Sequence, residues 1–373
     1  MSRQFMILSC LFTAVLAACR LSMACTQVQV TAKDASVVVG RTMEFAVDLD
    51  SHIITSPIGR TFQSPSPTKA KGLAWTAKHG YLLVDFFGTG RAVDGMNMQG
   101  LSVGLLYLPG YTQYQEVPAG REKDGLNYLF VADWVLGNFA TVGEVKAAID
   151  DVFVYGSAES LGGMKNQIFP IHMVVADAAG KNIIVEWVGG KTNVYDNPLG
   201  VLTNSPEFPW QLNNLKNYVN LTPYAPDPVK VGGVAYAATG QGAGALGLPG
   251  DFTPPSRFVK MAYLVDTALE VDTAVEAVVL VEHILNNADI PDGAVRSTEG
   301  GKGTLTDITR WSVFKDLKDL KFYYKSYTNT TLQEIDMKEL DFSKGAKQLS
   351  MRLDSKQIMV DATDRFQHSG SSK

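Results

Sequence analysis

Apolar and polar residues alternate along residues 26–30, and residues 35–44 carry the β-branched run Val37-Val38-Val39. Period-two alternation puts successive side chains on opposite faces of a strand, so the spacing predicts two paired strands joined by a turn near Lys33-Asp34. More strand signals lie at 72–76, 81–86 and 101–108. The period then changes. Apolar residues at helical spacing over 126–136 and 141–152 predict two helices, with Asn138 and Thr141 marking the break. A meander follows at 171–176, 182–188, 192–195 and 201–203, with Gly180 and Gly189-Gly190 at its turns.

Residues 209–219 predict a short helix, and 231–255, rich in Gly, Ala and Pro, read as a long surface loop of the kind that often borders a site. Helices resume at 256–267 and 273–286, strands return at 310–314, 321–327 and 332–336, and the polar stretch 361–373 reads as a frayed tail. Strands and helices come in blocks, with no fixed-period repeat and no shift in composition to divide the chain. A layered α+β domain over residues 25–360 fits that order better than alternating βαβ units.

The first 24 residues stand apart. A weakly basic start (Arg3), an apolar run over 5–18 and small residues at Ser22 and Ala24 have the parts of an export signal. The run is about 14 residues, short of the roughly 20 a membrane-spanning helix needs, so it reads as a removed segment and no integral span is expected. Two ends are open to it. Cleavage after Ser22-Met23-Ala24 would make Cys25 the first residue of an exported, periplasmic protein. Alternatively, Leu16-Ala17-Ala18-Cys19 resembles a lipobox, which would leave a lipid-anchored binding protein acylated at Cys19.

The remaining composition excludes more than it selects. The formal net charge of -5, with scattered basic residues, argues against nucleic acid as a partner. Of the 3 cysteines, Cys10 and Cys19 precede Cys25, so a chain cut before Cys25 keeps a single thiol and forms no internal disulfide. A thiol nucleophile needs a base. Among the 5 histidines, His52, His79, His172, His283 and His368, His172 falls in an apolar strand pattern, His283 in an apolar helix pattern and His368 in the tail, and no signature of the papain or caspase kind surrounds Cys25. No His-x-x-x-His or Cys-x-x-Cys pair points to a metal. An N-terminal cysteine meets the need for a base differently. Its α-amine titrates near ~8 and its thiol near ~8.5, so the amine can take up the thiol proton at little cost. Arg41 and Arg257, at turn-like or strand-end positions, are candidate positive charges beside such a thiol, and Glu44 is a candidate partner for the α-ammonium.

Five motifs then stand in order: Cys25-Thr26, Gly40-Arg41-Thr42-Met43-Glu44, Asp94-Gly95-Met96-Asn97, Leu202-Thr203-Asn204-Ser205-Pro206 and Ser256-Arg257-Phe258. Together with Thr309-Arg310-Trp311-Ser312-Val313 and Phe322-Tyr323-Tyr324, this series resembles the choloylglycine hydrolase and penicillin V acylase family of N-terminal-nucleophile amidohydrolases. The resemblance implies a four-layer αββα sandwich and hydrolysis of linear amides that join an apolar acyl group to a polar amine. It implies no metal or organic cofactor, and a possible homotetramer. By resemblance, Cys25 is nucleophile and base, Arg41 and Arg257 flank the thiol to favour thiolate and orient polar substrate groups, and the Asn204 side chain and the Tyr107 backbone N–H form an oxyanion hole. Asn97 reads as a turn residue. Two positions depart from the commonest pattern. Glu44 stands where many members have Asp, and Tyr107 stands where bile salt hydrolases carry Asn, as in penicillin V acylases. Tyr107 thus tilts the expected substrate toward penicillin V or acyl homoserine lactones, with conjugated bile salts as the alternative. Met43, Phe45, Phe86, Phe87 and Tyr107 are the expected wall of an acyl pocket.

Overall fold

The strand Val37–Phe45 is buried along its whole length, so both of its faces must be covered. The computed structural model, which describes residues 24–68, 70–298 and 303–368, shows how. Cys25–Thr31 pairs antiparallel with Val37–Phe45, setting Cys25 opposite Met43 and Gln27 opposite Arg41. The long strand Thr304–Asp316 pairs on its other side, with Trp311 opposite Met43, Val313 opposite Arg41 and Lys315 opposite Val39. Directly opposed residues share a face. Cys25, Gln27, Arg41, Met43, Trp311, Val313 and Lys315 therefore lie on one face, and Thr42 and Gly40 on the other.

The second face packs on the helix Ala274–Leu285. Gly40 is needed there: a Cβ at that position would sit 2.3 Å from Val281 and 2.8 Å from Leu285. The first face packs on a second sheet. In space its 8 strands run Lys191–Asp196, Asn182–Val188, Ile171–Ala176, Ser102–Tyr107, Asp94–Asn97, Tyr81–Val84, His52–Ser56 and Ser350–Arg352. The first sheet has 6 strands and continues through Lys321–Ser326 and Gln333–Asp336, with Val295–Thr298 also on the long strand. The helices Pro254–Thr267 and Ala274–Leu285 cover the first sheet, and Val131–Asn138 covers the second. Two apolar cores result, one reaching from the sheet interface to the Ala274–Leu285 helix and one between the second sheet and its helices. The fold is α+β, a four-layer αββα sandwich.

Several expected elements change. The helix expected over 126–136 is a strand Gly125–Asn127, a 3-10 turn Tyr128–Phe130 and then the α-helix Val131–Asn138. Asn127 causes the break, because its side chain accepts the Leu129 N–H and caps a new start. Residues 201–203 form no strand; Leu202 makes a single bridge to Gln27, with N–O distances of 2.8 and 3.0 Å. The expected loop at 231–255 takes in the turn and second strand of a small exposed hairpin, Val229–Val231 with Val234–Tyr236, and contains the 3-10 turn Ala243–Ala245. Within the expected frayed tail, Thr363–His368 is helical and exposed. The helix Ala274–Leu285 begins as its sequence predicts, with a reciprocal capping box between Thr273 and Glu276. No helix among the described residues is long and apolar enough to cross a membrane. The expected export segment up to residue 23, with the Cys19 lipobox, lies outside the described residues.

Candidate active site

Cys25 starts the edge strand of the first sheet and is 1 % exposed. Its backbone nitrogen donates to Asn204 Oδ1 at 2.8 Å. Its Sγ lies 3.6 Å from an Arg41 Nη and 3.6 Å from Met43 Sδ. Asn204 is carried there by the Gln27–Leu202 bridge, two residues before it on the chain. Its Nδ2 donates to the Tyr107 carbonyl at 2.7 Å, which leaves the second hydrogen of that amide for a bound group.

Arg257 approaches from the first full turn of the Pro254–Thr267 helix, on the helix-facing side of the sheet. It donates to the Cys25 carbonyl at 2.6 Å, Thr26 Oγ1 at 2.6 Å, Asn204 Oδ1 at 2.7 Å and the Phe252 carbonyl at 3.0 Å. Every nitrogen is engaged and the side chain is fully buried, so Arg257 holds the Cys25 strand and Asn204 together. This differs from the expectation that it would orient polar substrate groups beside the thiol.

Arg41 approaches from the opposite side, in the sheet interface. It donates to the carbonyls of Val93 (2.8 Å) and Leu105, pairs with Asp94 at 3.2 Å and lies under the Trp311 ring at 5.3 Å. Burial works against the Arg41 charge, and the Cys25 and Asp94 charges more than restore it. Burial pushes the Cys25 thiol up, opposed chiefly by Arg41.

Glu44 is fully buried; Oε1 accepts from Thr309 Oγ1 at 3.1 Å, and Oε2 has no hydrogen-bond partner among the described residues. Burial pushes its carboxyl up to about 7 against the pull of Arg257. Its backbone N–H donates at 2.8 Å to the carbonyl of Ala24. The Cys25 nitrogen is thus held by Asn204, a second role beside the oxyanion hole expected of it. Asn97 builds a turn: its Oδ1 accepts the N–H of Gln99 at 3.0 Å and of Leu101 at 3.1 Å.

The histidines lie elsewhere. His172 is buried between Glu186 and the Thr203 carbonyl, 3.0 Å from each, and His283 is exposed on its helix. Among the described residues no histidine hydrogen-bonds Cys25.

Beside the sulfur lies an apolar cavity. Met43, Phe45, Phe86, Phe87 and Tyr107 line it with Cys25, joined by Leu49, Ala92, Val93, Leu105, Leu106, Tyr128, Leu129, Phe169 and Ile171. The latter group carries no sequence signal beyond being apolar. No lining residue is charged, and the cavity volume is about 50 Å³.

The profile described as linear amide C–N hydrolases, choloylglycine hydrolase family, matches residues 25–361. A bile salt hydrolase/transferase of Clostridium perfringens (strain 13 / Type A) is 35 % identical over 317 residues, covering 84 % of this chain and 92 % of that protein. A penicillin V acylase of Pectobacterium atrosepticum is 25 % identical over 329 residues, covering 82 % and 78 % respectively. The crystal structure of a mutant conjugated bile acid hydrolase from Clostridium perfringens superposes with a TM-score of 0.79 at 30 % identity, over 90 % of this chain and 99 % of that one.

Proposed function

Because this chain belongs to the choloylglycine hydrolase family of linear amide C–N hydrolases, and is thereby an amidohydrolase, we propose that Cys25 is its nucleophile and that it cleaves amides of small aryl or linear acyl groups. The observation that carries the substrate reading is the cavity at Cys25. Its walls are apolar, so it takes the acyl side of the amide, and the polar amine is left toward solvent. The cavity is small, about 50 Å³, and walled by aromatic rings and aliphatic side chains, which suits one ring or an alkyl chain better than a fused steroid nucleus.

The geometry supports the following chemistry. Cleavage before Cys25 frees an α-amine at the nitrogen that Asn204 Oδ1 holds, and this amine takes the thiol proton. The thiolate, 3.6 Å from Arg41, attacks the amide carbon. The oxyanion is stabilised by the remaining Asn204 Nδ2 hydrogen and by the Tyr107 backbone N–H. The tetrahedral intermediate collapses, breaking the C–N bond as the amine leaves with a proton from the ammonium. Water then cleaves the thioester, regenerating the thiol. Export of the chain is part of this reading, since removal of the first 24 residues exposes the amine.

Conjugated bile salt hydrolysis is the second reading, favoured by the higher identity to the bile salt hydrolase/transferase of Clostridium perfringens. Purified mature enzyme assayed side by side on penicillin V, a long-chain acyl homoserine lactone and glycine- and taurine-conjugated bile salts separates them. Bile salts turned over faster than either other class would overturn the small-acyl assignment. Self-association belongs to the proposal as well. Val229, Val231, Val234 and Tyr236 of the outlying hairpin are 61, 64, 56 and 56 % exposed, and a sedimenting monomer at micromolar concentration would reject it.

A further inference from the structure

Asp94 opens the third of the five sequence motifs, after Cys25-Thr26 and Gly40–Glu44 in chain order, yet the reaction above gives it no part. It is fully buried in the sheet interface, and two cations converge on it. Lys315 Nζ lies 2.5 Å from Oδ1, and an Arg41 Nη lies 3.2 Å from Oδ2. Arg41 in turn reaches Cys25 Sγ at 3.6 Å. All of these side chains are buried, and Asp94 is the only hydrogen-bond partner of Lys315 Nζ among the described residues.

A buried lysine is rare, and replacing a buried ion pair with apolar side chains of similar volume is often neutral or stabilising. Packing alone therefore does not account for Lys315. The charge count does. Arg41 and Asp94 alone cancel, and a thiolate beside them would be one buried negative charge in excess. Lys315 raises the group to +1, which the thiolate balances. The other charges facing the sulfur, Glu44 and Arg257, stand on the helix side and oppose each other.

We propose that Lys315 is a positioning residue for the nucleophile: by neutralising Asp94 it leaves the charge of Arg41 to the Cys25 sulfur. This rests on the assignment of Cys25 above. The register explains how the strands deliver it, since Lys315 stands two residues beyond Val313, the partner of Arg41, on the same face.

The test uses mature enzyme, penicillin V as substrate and iodoacetamide as a probe of thiolate. In Lys315→Met the profiles of kcat/KM and of alkylation against pH both move upward by about one pH unit, so that alkylation on the acid limb slows about tenfold. Lys315→Arg retains the wild-type profile. The double variant Lys315→Met/Asp94→Asn removes both charges, returns Arg41 to the sulfur and moves the profile back toward wild type. A merely structural lysine would not give that reversal. The double variant also carries no unpaired carboxylate, so it reports even where Lys315→Met folds poorly. Profiles of Lys315→Met that superimpose on wild type, or of the double variant that superimpose on Lys315→Met, overturn the proposal. Cys25→Ala keeps the two ideas apart: if that variant still turns over, the nucleophile assignment fails; if it is dead while Lys315→Met keeps the wild-type profile, only the role of Lys315 fails.

Discussion

The polar groups at Cys25, Arg41 and Asp94 in the sheet interface with Asn204 and Arg257 at the strand's helix-facing side, are tied to one another or to backbone carbonyls, with no exposed side chain among them. Its apolar neighbours Met43, Phe45, Phe86 and Phe87 enclose a small space with no charged wall. The polar side has little freedom to move, because each donor displaced would leave a buried partner unsatisfied. The apolar side is held by non-directional packing and tolerates change in shape. Reaction rate and pH response should therefore depend on the first side, and acyl preference on the second.

The largest test of that division is removal of the sulfur. Cys25→Ala should lose turnover by on the order of 10⁶-fold, the scale found when a catalytic nucleophile is deleted. Single-turnover and steady-state assays on penicillin V should agree. Residual activity near wild type would place the chemistry elsewhere. Next comes Asn204→Ala, which removes the proposed oxyanion donor and the acceptor for the Cys25 nitrogen. The expected loss in kcat is about 10²–10³-fold. A change confined to KM would show that Asn204 belongs to binding and not to the reacting atoms.

The polar side is partly legible in the sequence because it uses polar residue types in ordered short motifs. Arg41, Asn204 and Arg257 stand out in those motifs, and they converge on Cys25. Lys315 does not stand out. The apolar strand pattern ends at residue 314, and Lys315-Asp316 looks like a solvated strand end, whereas both residues are buried. What buries the lysine is Asp94, 221 positions away in the other sheet, and no local pattern encodes that pairing. The strands His52–Ser56 and Asp94–Asn97 escape notice for a related reason: short and lacking clear alternation, they are defined by neighbours on both sides. The apolar wall is visible by residue type, but the cavity's further members, such as Phe169 and Ile171, are indistinguishable in sequence from core.

Glu44 sharpens the comparison from the stability side. Its carboxyl, pushed up to about 7 by burial, binds its proton more tightly in the folded than in the unfolded chain, where about 4.5 applies. The stability this gives is fully present below about pH 4.5 and is lost as pH rises through about 7. The loss amounts to at most roughly 3.5 kcal/mol, since each tenfold difference in proton affinity is worth about 1.4 kcal/mol. Urea unfolding of the full-length chain at pH 5 and 8 should show this decline, and Glu44→Gln should flatten it. Equal slopes for the two proteins would mean that Arg257 keeps Glu44 ionised throughout.

The smallest effect is expected on the apolar side, at Phe87. Its ring meets Phe45 edge-on at 5.9 Å and Phe86 at 5.6 Å, and its tip lies where a Cβ on Gly162 would come within 2.2 Å. The ring is thus wedged between the cavity and the 159–167 hairpin, so its removal opens space without touching a hydrogen bond of the polar side. Differences of one to a few methylenes in an apolar pocket change discrimination by roughly 10–200-fold. Phe87→Ala should fall at the low end, about tenfold, raising kcat/KM for conjugated bile salts relative to penicillin V. The change should appear mainly in KM, and the pH profile should stay that of wild type, because Arg41, Asp94 and Asn204 are unaltered. A shifted pH profile in Phe87→Ala would show that the two sides of Cys25 are coupled through the packing of Phe45 beside Met43.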